Sequence, residues 1–388
     1  MMRRMIALWL LLAVILTGCA QNSAQPENPL ADWLNAAELD AEKTPEELYA
    51  AALDEGVLVV YSTSTRMFNV AESFEQEYPG LVVKVEHHRE GELYDVLIQN
   101  FNTGSFAADV VVSADGRGIM YNRLLPENIV VKYVPFDIGG KILPGNNEEF
   151  LMLAGEAAVF SYNERYYPQP PVNNWWELTM EEWRDMIFIP NPTRSMTTLA
   201  FFSTIIDNSD LMAQAYEDLF GRPIQLAPGE NAGREFVRRL VDNGLVIMNS
   251  SDEVAEEVGM PGSSSPAVGI MISSKTRLRS IGFEMINHYD IEPFAGVYTP
   301  INVMLAGGSQ NINGAKLFIR WLLGETDGTG EGYKPYLQSG AWSVRSDVPD
   351  ETGVRSDELN LLHIDRRSLY ENFDAVLAFW EELLEMRQ

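Results

Sequence analysis

The chain has few of the residues that most enzyme sites and crosslinks require. It contains one cysteine and four histidines in 388 residues. A single thiol excludes an internal disulfide, a Cys-x-x-Cys redox pair and a zinc cage of cysteines. Few residues are available for nucleophilic catalysis through histidine or cysteine. The Gly-x-Ser-x-Gly, P-loop and His-Glu-x-x-His motifs are absent from the sequence. Hydrolysis by a carboxylate pair stays open, because Asp and Glu number 56.

Basic residues are also scarce. Lys and Arg number 28, the formal net charge is −28, and no run of basic residues follows residue 4. A nucleic acid would meet a repulsive field, so a nucleic-acid partner is excluded. No repeat of fixed period is present, which disfavours a solenoid, a propeller or an adhesive repeat protein.

No apolar run is long enough to cross a bilayer as a helix, which needs about 20 residues. The longest at the amino terminus is Ile6–Leu16, and it follows Arg3 and Arg4. This order is typical of a secretory signal peptide and predicts one at residues 1–18, whereas a short anchor or a buried helix is the alternative.

The segment Leu16-Thr17-Gly18-Cys19 closes the apolar run and resembles the bacterial lipobox. That resemblance implies cleavage before Cys19 and lipidation of its thiol. Residues 19–40 are polar and interrupted by Pro26 and Pro29, which predicts a tether between a membrane and a globular body. The expected location is the cell surface or the periplasm.

The globular body alternates between helix and strand patterns. Thr44-Pro45-Glu46-Glu47 has the residues of a helix start, and Val57–Tyr61 reads as a strand buried on both faces. The further helix and strand candidates are Phe68–Tyr78, Leu81–Glu86, Gly91–Asn102, Asp109–Val112, Gly118–Leu125, Ala157–Asn163, Thr179–Asp185, Ile187–Ile189, Thr197–Ile206, Leu211–Phe220, Ala232–Asn243, Ala267–Ile272, Val297–Leu305 and Ile312–Leu323. Two long helices are expected to close the chain, the last at Ser368–Met386.

This alternation predicts an α/β fold with parallel-rich sheets. The length exceeds one ordinary doubly wound domain, which favours two lobes. In such folds a ligand binds outside the carboxyl ends of the strands, so a site between the lobes is expected.

Several segments, in their order along the chain, resemble an extracellular solute-binding protein of an ABC importer. They are Glu75-Gln76-Glu77-Tyr78-Pro79-Gly80-Leu81, Ala108-Asp109-Val110-Val111-Val112, Val159-Phe160-Ser161-Tyr162-Asn163, Asn174-Trp175-Trp176-Glu177-Leu178, Asn313-Gly314-Ala315-Lys316 and Gly340-Ala341-Trp342-Ser343-Val344. The similar branch has the type II periplasmic-binding-protein fold and binds ferric iron, thiamine, polyamines or phosphonates.

The resemblance implies a two-lobed molecule whose crossover strands act as a hinge, near Val159–Asn163 and Val297–Leu305. It assigns residues 41–156 and 300–333 to lobe 1, and residues 157–299 and 334–388 to lobe 2. It implies binding and delivery of one small solute to an ABC permease by a monomer, without catalysis or a cofactor.

Residues that could hold a metal occur in two places. A ferric site in this family typically uses adjacent tyrosines, and the chain has the pair Tyr166-Tyr167, in a proline-rich loop that favours packing or surface exposure instead. His87-His88 with Glu90 and Glu92 is the second place. Neighbouring residues of a strand point to opposite faces, so both histidines are not expected to bind one ion.

Three hydroxyl-rich loops with cations offer the chemistry of an anion site. They are Ser62–Arg66, Thr193–Thr198 and Ser273–Arg277. Each lies at a predicted strand-to-helix corner, where hydroxyls, free backbone N–H groups and a guanidinium can meet an anion. The alternative for each loop is a helix cap with a surface charge. The candidate ligand-binding residues are Ser62, Thr63, Ser64, Thr65, Arg66, Arg194, Ser195, Thr197, Ser273, Ser274 and Arg277.

The expected solute is therefore a small anion, namely an organic phosphate, a phosphonate or a carboxylate. Ferric iron, a polyamine and thiamine remain the alternatives. Trp175, Trp176, Trp342 and Tyr298 could cup a cation or stack on a sugar, although aromatic residues more often pack in a core.

Overall fold

The computed structural model describes residues 30–263, 265–351 and 353–387. The predicted signal peptide, Cys19 and the first part of the predicted tether lie outside the described residues. Within the described part of the chain, no helix combines the length and the apolar character needed to span a bilayer.

The order of elements confirms the predicted alternation. The helices are α1 (Ala31–Ala36), α2 (Pro45–Ala52), α3 (Arg66–Glu77), α4 (Glu90–Thr103), α5 (Phe136–Gly139), α6 (Met196–Asp207), α7 (Ser209–Phe220), α8 (Ala232–Asp242), α9 (Ser251–Gly259), α10 (Ile312–Leu322) and α11 (Arg366–Met386). The strands are β1 (Leu58–Ser62), β2 (Val83–His87), β3 (Val110–Ser113), β4 (Val130–Val131), β5 (Leu151–Ala154), β6 (Ala157–Asn163), β7 (Ile187–Pro190), β8 (Val246–Met248), β9 (Val268–Ile272), β10 (Met285–His288), β11 (Gly296–Tyr298), β12 (Ile301–Ala306) and β13 (Leu361–His363).

Lobe 1 is built on a sheet with the strand order β2-β1-β3-β12-β4, and β5 also pairs with β12. Strand β1 is parallel to β2 and β3, whereas β12 runs antiparallel to β3. Helices α2, α3 and α10 cover one face, and α4 covers the other together with the π-helix Met120–Leu124. Burial on both faces explains why the strands are continuous apolar runs.

Lobe 2 is built on a second sheet, of order β13-β11-β6-β9-β7-β8, with β10 paired to β6. Helices α6, α7, α8 and α11 pack on one face with the buried indoles of Trp175 and Trp176. Helix α9 packs on the other face. Parallel pairing of β7 with β8 and β9 makes this sheet mixed, and the predicted two-lobed α/β class is confirmed.

The chain passes between the sheets where β5 leads to β6 and where β11 leads to β12. The second passage corrects the prediction of one strand at Val297–Leu305. The strand stops at Tyr298 and resumes at Ile301 in the other sheet, because Thr299 and Pro300 carry the chain across. A third passage lies between Arg345 and Leu361.

The carboxyl-terminal region differs from the expectation in two ways. One long helix, α11, closes the described chain instead of two, because residues 323–351 and 353–360 contain several glycines at positive φ and form turns and short 3-10 helices. The boundary predicted at residue 334 is also wrong, since Tyr336 and Val344 are buried in the lobe 1 core.

The tether prediction is wrong for residues 30–40, because these residues pack on lobe 1. Leu30 is buried, and the Trp33 indole Nε1 donates to the carbonyl of Ser309 over 2.8 Å. The buried Lys316 Nζ donates to the carbonyls of Ala37 and Glu38 over 2.6 and 2.7 Å. Burial lowers the pKa of this lysine to about 8.

The lobes touch at the amino terminus of α6. A Cβ on the buried Gly116 would lie 3.1 Å from the carbonyl carbon of Met196 and 3.1 Å from the nitrogen of Thr197. Since both atoms belong to the backbone, they cannot rotate away. The absence of a side chain at Gly116 therefore sets how closely lobe 2 approaches lobe 1 beside the cleft.

We expect Lys316→Met to free residues 30–40 from lobe 1, because two carbonyls lose their charged donor. The loss in the free energy of unfolding should be about 1–3 kcal/mol. Hydrogen exchange should show faster exchange of the amides of residues 30–40. Lys334→Met is the control, since Lys334 is exposed and pairs with Glu331. Unchanged exchange in Lys316→Met would contradict the anchoring role.

We expect Gly116→Leu to hold the lobes further apart, because its side chain would meet the backbone of α6. Small-angle X-ray scattering should show a larger radius of gyration than in the wild type. Gly140→Leu is the matched control, because no heavy atom lies within 4 Å of a Cβ at that position. Identical scattering from both variants would show that Gly116 does not limit the approach.

Candidate functional site

A cleft between the lobes has a volume of about 450 Å³. It lies where strands end and helices begin: after β1, after β8 and after β9. Its lining residues are Thr63, Ser64, Thr65, Arg66, His87, Ala114, Glu156, Thr197, Ser251, Asp252, Ile272, Ser274, Lys275, Arg277, Thr299 and Ile301. The volume lies in the range of sites for small organic ligands.

The cleft brings together residues from all three hydroxyl-rich loops. The first loop contributes Thr63, Ser64, Thr65 and Arg66, the second contributes Thr197, and the third contributes Ser274, Lys275 and Arg277. The first and third loops lie more than 200 residues apart in sequence, and the first belongs to lobe 1 whereas the other two belong to lobe 2. The predicted convergence of the three loops is therefore present in the structure.

Four of the candidate residues do not line this cleft. Arg194 lies in the turn before α6, where it is exposed and is not part of the cleft lining. Ser195 is the N-cap of α6, and its hydroxyl accepts from the Thr198 N–H. Ser62 is buried, and its hydroxyl accepts from the Ser64 N–H over 3.0 Å. Ser195 and Arg194 therefore have the alternative roles expected from the sequence, namely a helix cap and a surface charge, and Ser62 stabilises a turn.

Ser273 is the fourth residue outside the cleft lining, and it has a structural role. Its hydroxyl accepts from the Ala157 N–H over 3.0 Å and donates to the Gly340 carbonyl over 2.5 Å. It thus ties the start of β6 to the loop before the third passage between the lobes.

Sequence patterns missed several lining residues. Glu156 lies in the first passage between the lobes, where no motif marks it, and Thr299 lies in the second. Asp252 was detectable, because it follows β8 at the start of α9, and Ser250 accepts from the Glu253 N–H as N-cap. Glu156 precedes β6 and Thr299 follows β11, so the pairing of these two strands, which are distant in sequence, brings both residues to the cleft.

Arg66 is the most connected cation of the cleft. Its Nη2 donates to Glu156 Oε1 over 2.8 Å and to Ser274 Oγ over 2.9 Å. Burial disfavours its charged form, but the neighbouring Glu156 carboxylate outweighs burial and holds the Arg66 pKa above its ordinary value. One guanidinium therefore links α3 of lobe 1, the first passage and lobe 2.

Lys275 and Arg277 add two more cations on the lobe 2 side. Lys275 Nζ lies 2.5 Å from Asp252 Oδ1, whereas Arg277 Nη1 donates to the backbone carbonyl of Ser274 over 2.9 Å. Within the described residues, Arg277 has no carboxylate within 4 Å. Burial lowers the pKa of Arg277, and the positive charge of Arg66 lowers it further.

The pKa of Lys275 is also lowered, first by burial, while Asp252 opposes this effect and the two arginines add to it. Burial is the main cause at both residues, and repulsion from the neighbouring arginines is a smaller contribution. An anion in the cleft would relieve that repulsion.

Two buried polar atoms of the cleft have no hydrogen-bond partner among the described residues. They are Arg66 Nη1 and Thr299 Oγ1. An unpaired buried polar atom costs about 1–3 kcal/mol, so such atoms are rare in folded proteins. Their position in one cleft makes them candidate contacts for a bound solute.

The metal candidates do not converge. Tyr166 is exposed, and the Tyr167 hydroxyl donates to the Pro266 carbonyl over 2.8 Å. His87 lines the cleft, whereas His88 packs on Tyr61 with ring centroids 4.9 Å apart. In the described residues, no group of three or more His, Cys, Asp or Glu side chains could hold a metal ion.

The aromatic candidates lie outside the cleft. Trp175 and Trp176 are buried in the lobe 2 core, and their indoles donate to backbone carbonyls. Trp342 is buried against Tyr298 and Tyr289. Their role is packing, because none of them lines the cleft.

A second cavity of about 340 Å³ lies on the other side of the passage at Thr299 and Pro300. Its lining includes Asp115, Glu149, Tyr298, His363 and Arg366. Both oxygens of Asp115 accept backbone N–H groups, from Met120 and Tyr121. Carboxylates outnumber cations there, so this cavity does not suit an anion.

The buried Asp115 predicts a pH dependence of stability. Burial raises the pKa of Asp115 to about 7, and the nearby Glu90 adds to the effect while hydrogen bonds and Arg366 oppose it. The folded protein then holds this proton more tightly than the unfolded chain. The free energy of unfolding should therefore fall as the pH rises from about 4 to about 7.

Asp115→Asn should flatten this dependence, as measured by urea unfolding at several pH values. Glu90 will retain part of the slope, because burial also raises its pKa. The exposed Asp54→Asn is the control, and a slope in Asp115→Asn equal to that of the wild type would refute the assignment.

Comparisons with known proteins identify relatives in structure but none in sequence. No family model and no curated protein matches the chain. The iron-bound HitA of Pseudomonas aeruginosa superposes with a TM-score of 0.63 at 16% identity, over 84% of this chain and 99% of that one.

Two further solved structures are similar. The periplasmic binding protein AfuA of Actinobacillus pleuropneumoniae, with fructose-6-phosphate bound, has a TM-score of 0.61 at 17% identity over 85% of this chain and 99% of its own. The substrate-binding protein of an ABC transporter from Agrobacterium tumefaciens has a TM-score of 0.60 at 15% identity, over 84% and 95%. The chain has the two-lobed type II periplasmic-binding-protein fold that its sequence resembles.

Proposed function

We propose that the chain is the solute-binding component of an ABC importer and that it captures a small organic anion between its lobes. The observation that carries the proposal is the surplus of cations in the cleft: Glu156 pairs with Arg66 and Asp252 with Lys275, whereas Arg277 has no carboxylate within 4 Å among the described residues. The similar structures are binding proteins, and one is described as part of an ABC transporter. Their low identity leaves the solute to be argued from this chain's residues.

The donor set of the cleft suits an oxyanion. Guanidinium groups donate in a planar fork that matches carboxylate and phosphate oxygens. Hydroxyls of Thr63, Ser64 and Thr197 line the same space. The amino termini of α3 and α6 also lie at the cleft, and neither helix has an acidic residue in its first turn. Their partial positive charges favour an anion.

The alternatives lack the residues they need. Ferric iron prefers hard oxygen donors, and the lining contains no tyrosine among the described residues. A polyamine or thiamine would face Arg66, Lys275 and Arg277, and no aromatic face other than that of His87 lines the cleft. A carboxylate-pair hydrolase would need two unpaired acids, whereas Glu156 and Asp252 each hold a cation.

Export and anchoring complete the proposal. Lipidation of Cys19 would place the protein at the cell surface or in the periplasm, and a permease would receive the solute from the monomer. Only residues 20–29 would separate the anchor from Leu30, which is buried on lobe 1. Fully extended, these ten residues span roughly 35 Å, so lobe 1 would stay close to the membrane.

A thermal-shift screen of the purified protein tests the proposed function. The panel contains phosphate monoesters, phosphonates and carboxylates, together with spermidine, thiamine and Fe³⁺. A ligand at 100 times its Kd adds about 2.7 kcal/mol to stability. Stabilisation by organic anions without their turnover supports the proposal, whereas stabilisation by cations or Fe³⁺ alone overturns it.

Arg277→Gln should weaken binding of any anion that stabilises the wild type. The loss should be roughly 10- to 100-fold in Kd, because one charged hydrogen bond contributes about 1.5–3 kcal/mol. Titration calorimetry measures this change. Arg194→Gln is the matched control from the second loop, because Arg194 is exposed outside the cleft. Equal affinities in the two variants would remove Arg277 from the site.

A further inference from the structure

The cleft contains a buried acceptor that a pure anion site would not need. Glu156 is only 7% exposed, and its Oε1 accepts from Arg66. Within the described residues, its second oxygen, Oε2, accepts no hydrogen bond. A carboxylate has about four lone-pair positions, so Glu156 retains capacity to accept from a donor in the cleft.

A donor and an acceptor subsite lie side by side. Ser274 accepts from Arg66 Nη2 through its hydroxyl and from Arg277 Nη1 through its carbonyl, over 2.9 Å in each case. The two guanidinium groups therefore meet at one residue and form the donor subsite. The same Arg66 Nη2 also donates to Glu156 Oε1 over 2.8 Å, and Glu156 forms the acceptor subsite.

Thr299 extends the acceptor side. Its backbone N–H donates to the Glu156 carbonyl over 2.7 Å, which fixes the two residues next to each other. The Thr299 hydroxyl is buried and unpaired, and a hydroxyl both donates and accepts. A solute hydroxyl is a neutral group that can accept from the Thr299 hydroxyl and donate to the Glu156 carboxylate.

The other donor-bearing group, an ammonium, is disfavoured by its charge. Arg66 already compensates Glu156, and Arg277 has no carboxylate of its own. A cationic group on the solute would therefore add to the positive surplus, whereas a hydroxyl would not. The cleft volume of about 450 Å³ also leaves room beyond a bare oxyanion, which displaces only a few waters of about 30 Å³ each.

We propose that the solute is a hydroxylated organic anion, with its anionic group between Arg66 and Arg277 and a hydroxyl hydrogen-bonded to Glu156 and Thr299. Glu156 is then a specificity-determining residue. The inference rests on the proposed function, since it presumes an anion in this cleft.

Matched pairs of anions test the inference by titration calorimetry at pH 7. Gluconate is paired with hexanoate, and glycerol 3-phosphate with propyl phosphate, so that each pair differs in its hydroxyls and keeps its charge group. Sulfate and inorganic phosphate serve as bare oxyanions. For the wild type we expect the hydroxylated member of at least one pair to bind ten-fold or more tightly than its partner and than both bare anions.

Glu156→Gln should reduce that ratio about ten-fold, because a neutral amide replaces the charged acceptor of the solute hydroxyl. Thr299→Val, which nearly conserves volume, should also reduce the ratio and does not disturb the Arg66 ion pair. Glu382→Gln, on the exposed surface of α11, should leave the ratio unchanged. Melting curves of each variant establish that it is folded.

The outcomes separate this inference from the proposed function. Equal binding within both pairs, tighter binding of sulfate or inorganic phosphate, or a ratio that survives both Glu156→Gln and Thr299→Val overturns the hydroxylated solute and leaves an anion-binding protein. Failure of every anion, with binding of spermidine, thiamine or Fe³⁺, overturns the proposed function itself.

Discussion

The ion pair between Arg66 and Glu156 is the contact on which the arrangement of the cleft depends. Arg66 begins helix α3 of lobe 1, Glu156 lies in the first passage between the lobes, and Ser274 belongs to lobe 2. One buried guanidinium joins all three. A buried pair that loses one partner leaves an uncompensated charge, at a cost of about 3–5 kcal/mol, so the two residues hold each other in place.

The cleft lies apart from the apolar cores that stabilise the two lobes. Each lobe has its own sheet and its own apolar clusters, and the cleft lies outside the strand ends. Loops at strand ends can therefore change without loss of either core. This explains how proteins with about 16% identity keep the same fold, and why the chemistry of the cleft has to be read from this chain's own residues.

The approach of the lobes depends on backbone contacts as well as on charges. Gly116 lets the amino terminus of α6 approach lobe 1, and Ser273 ties β6 to the loop at Gly340. Lys316 holds residues 30–40 on lobe 1 through the carbonyls of Ala37 and Glu38. A Cβ at position 116 would crowd the backbone of Met196 and Thr197, which cannot rotate out of the way, and the Oε2 atom of Glu90.

Local sequence patterns determined most of the secondary structure. The apolar run Ala157–Asn163 is a strand with the predicted bounds, and the Thr44 cap forms the hydrogen bonds its residues predict. Such patterns succeed because strand burial and helix capping involve neighbours in sequence. They failed at Val297–Leu305, since a change of sheet depends on which strands are available to pair.

The sequence by itself determined the α/β class, the two lobes and the three hydroxyl-rich loops. The tertiary structure alone decided which residues of those loops face the cleft, placing Arg277 in it and Arg194 outside it. It also decided that Glu156 and Thr299 lie beside Arg66. The physical reason is that cap formation depends on local geometry, whereas contact between residues such as Arg66 and Ser274, 208 positions apart, requires both sheets to be assembled.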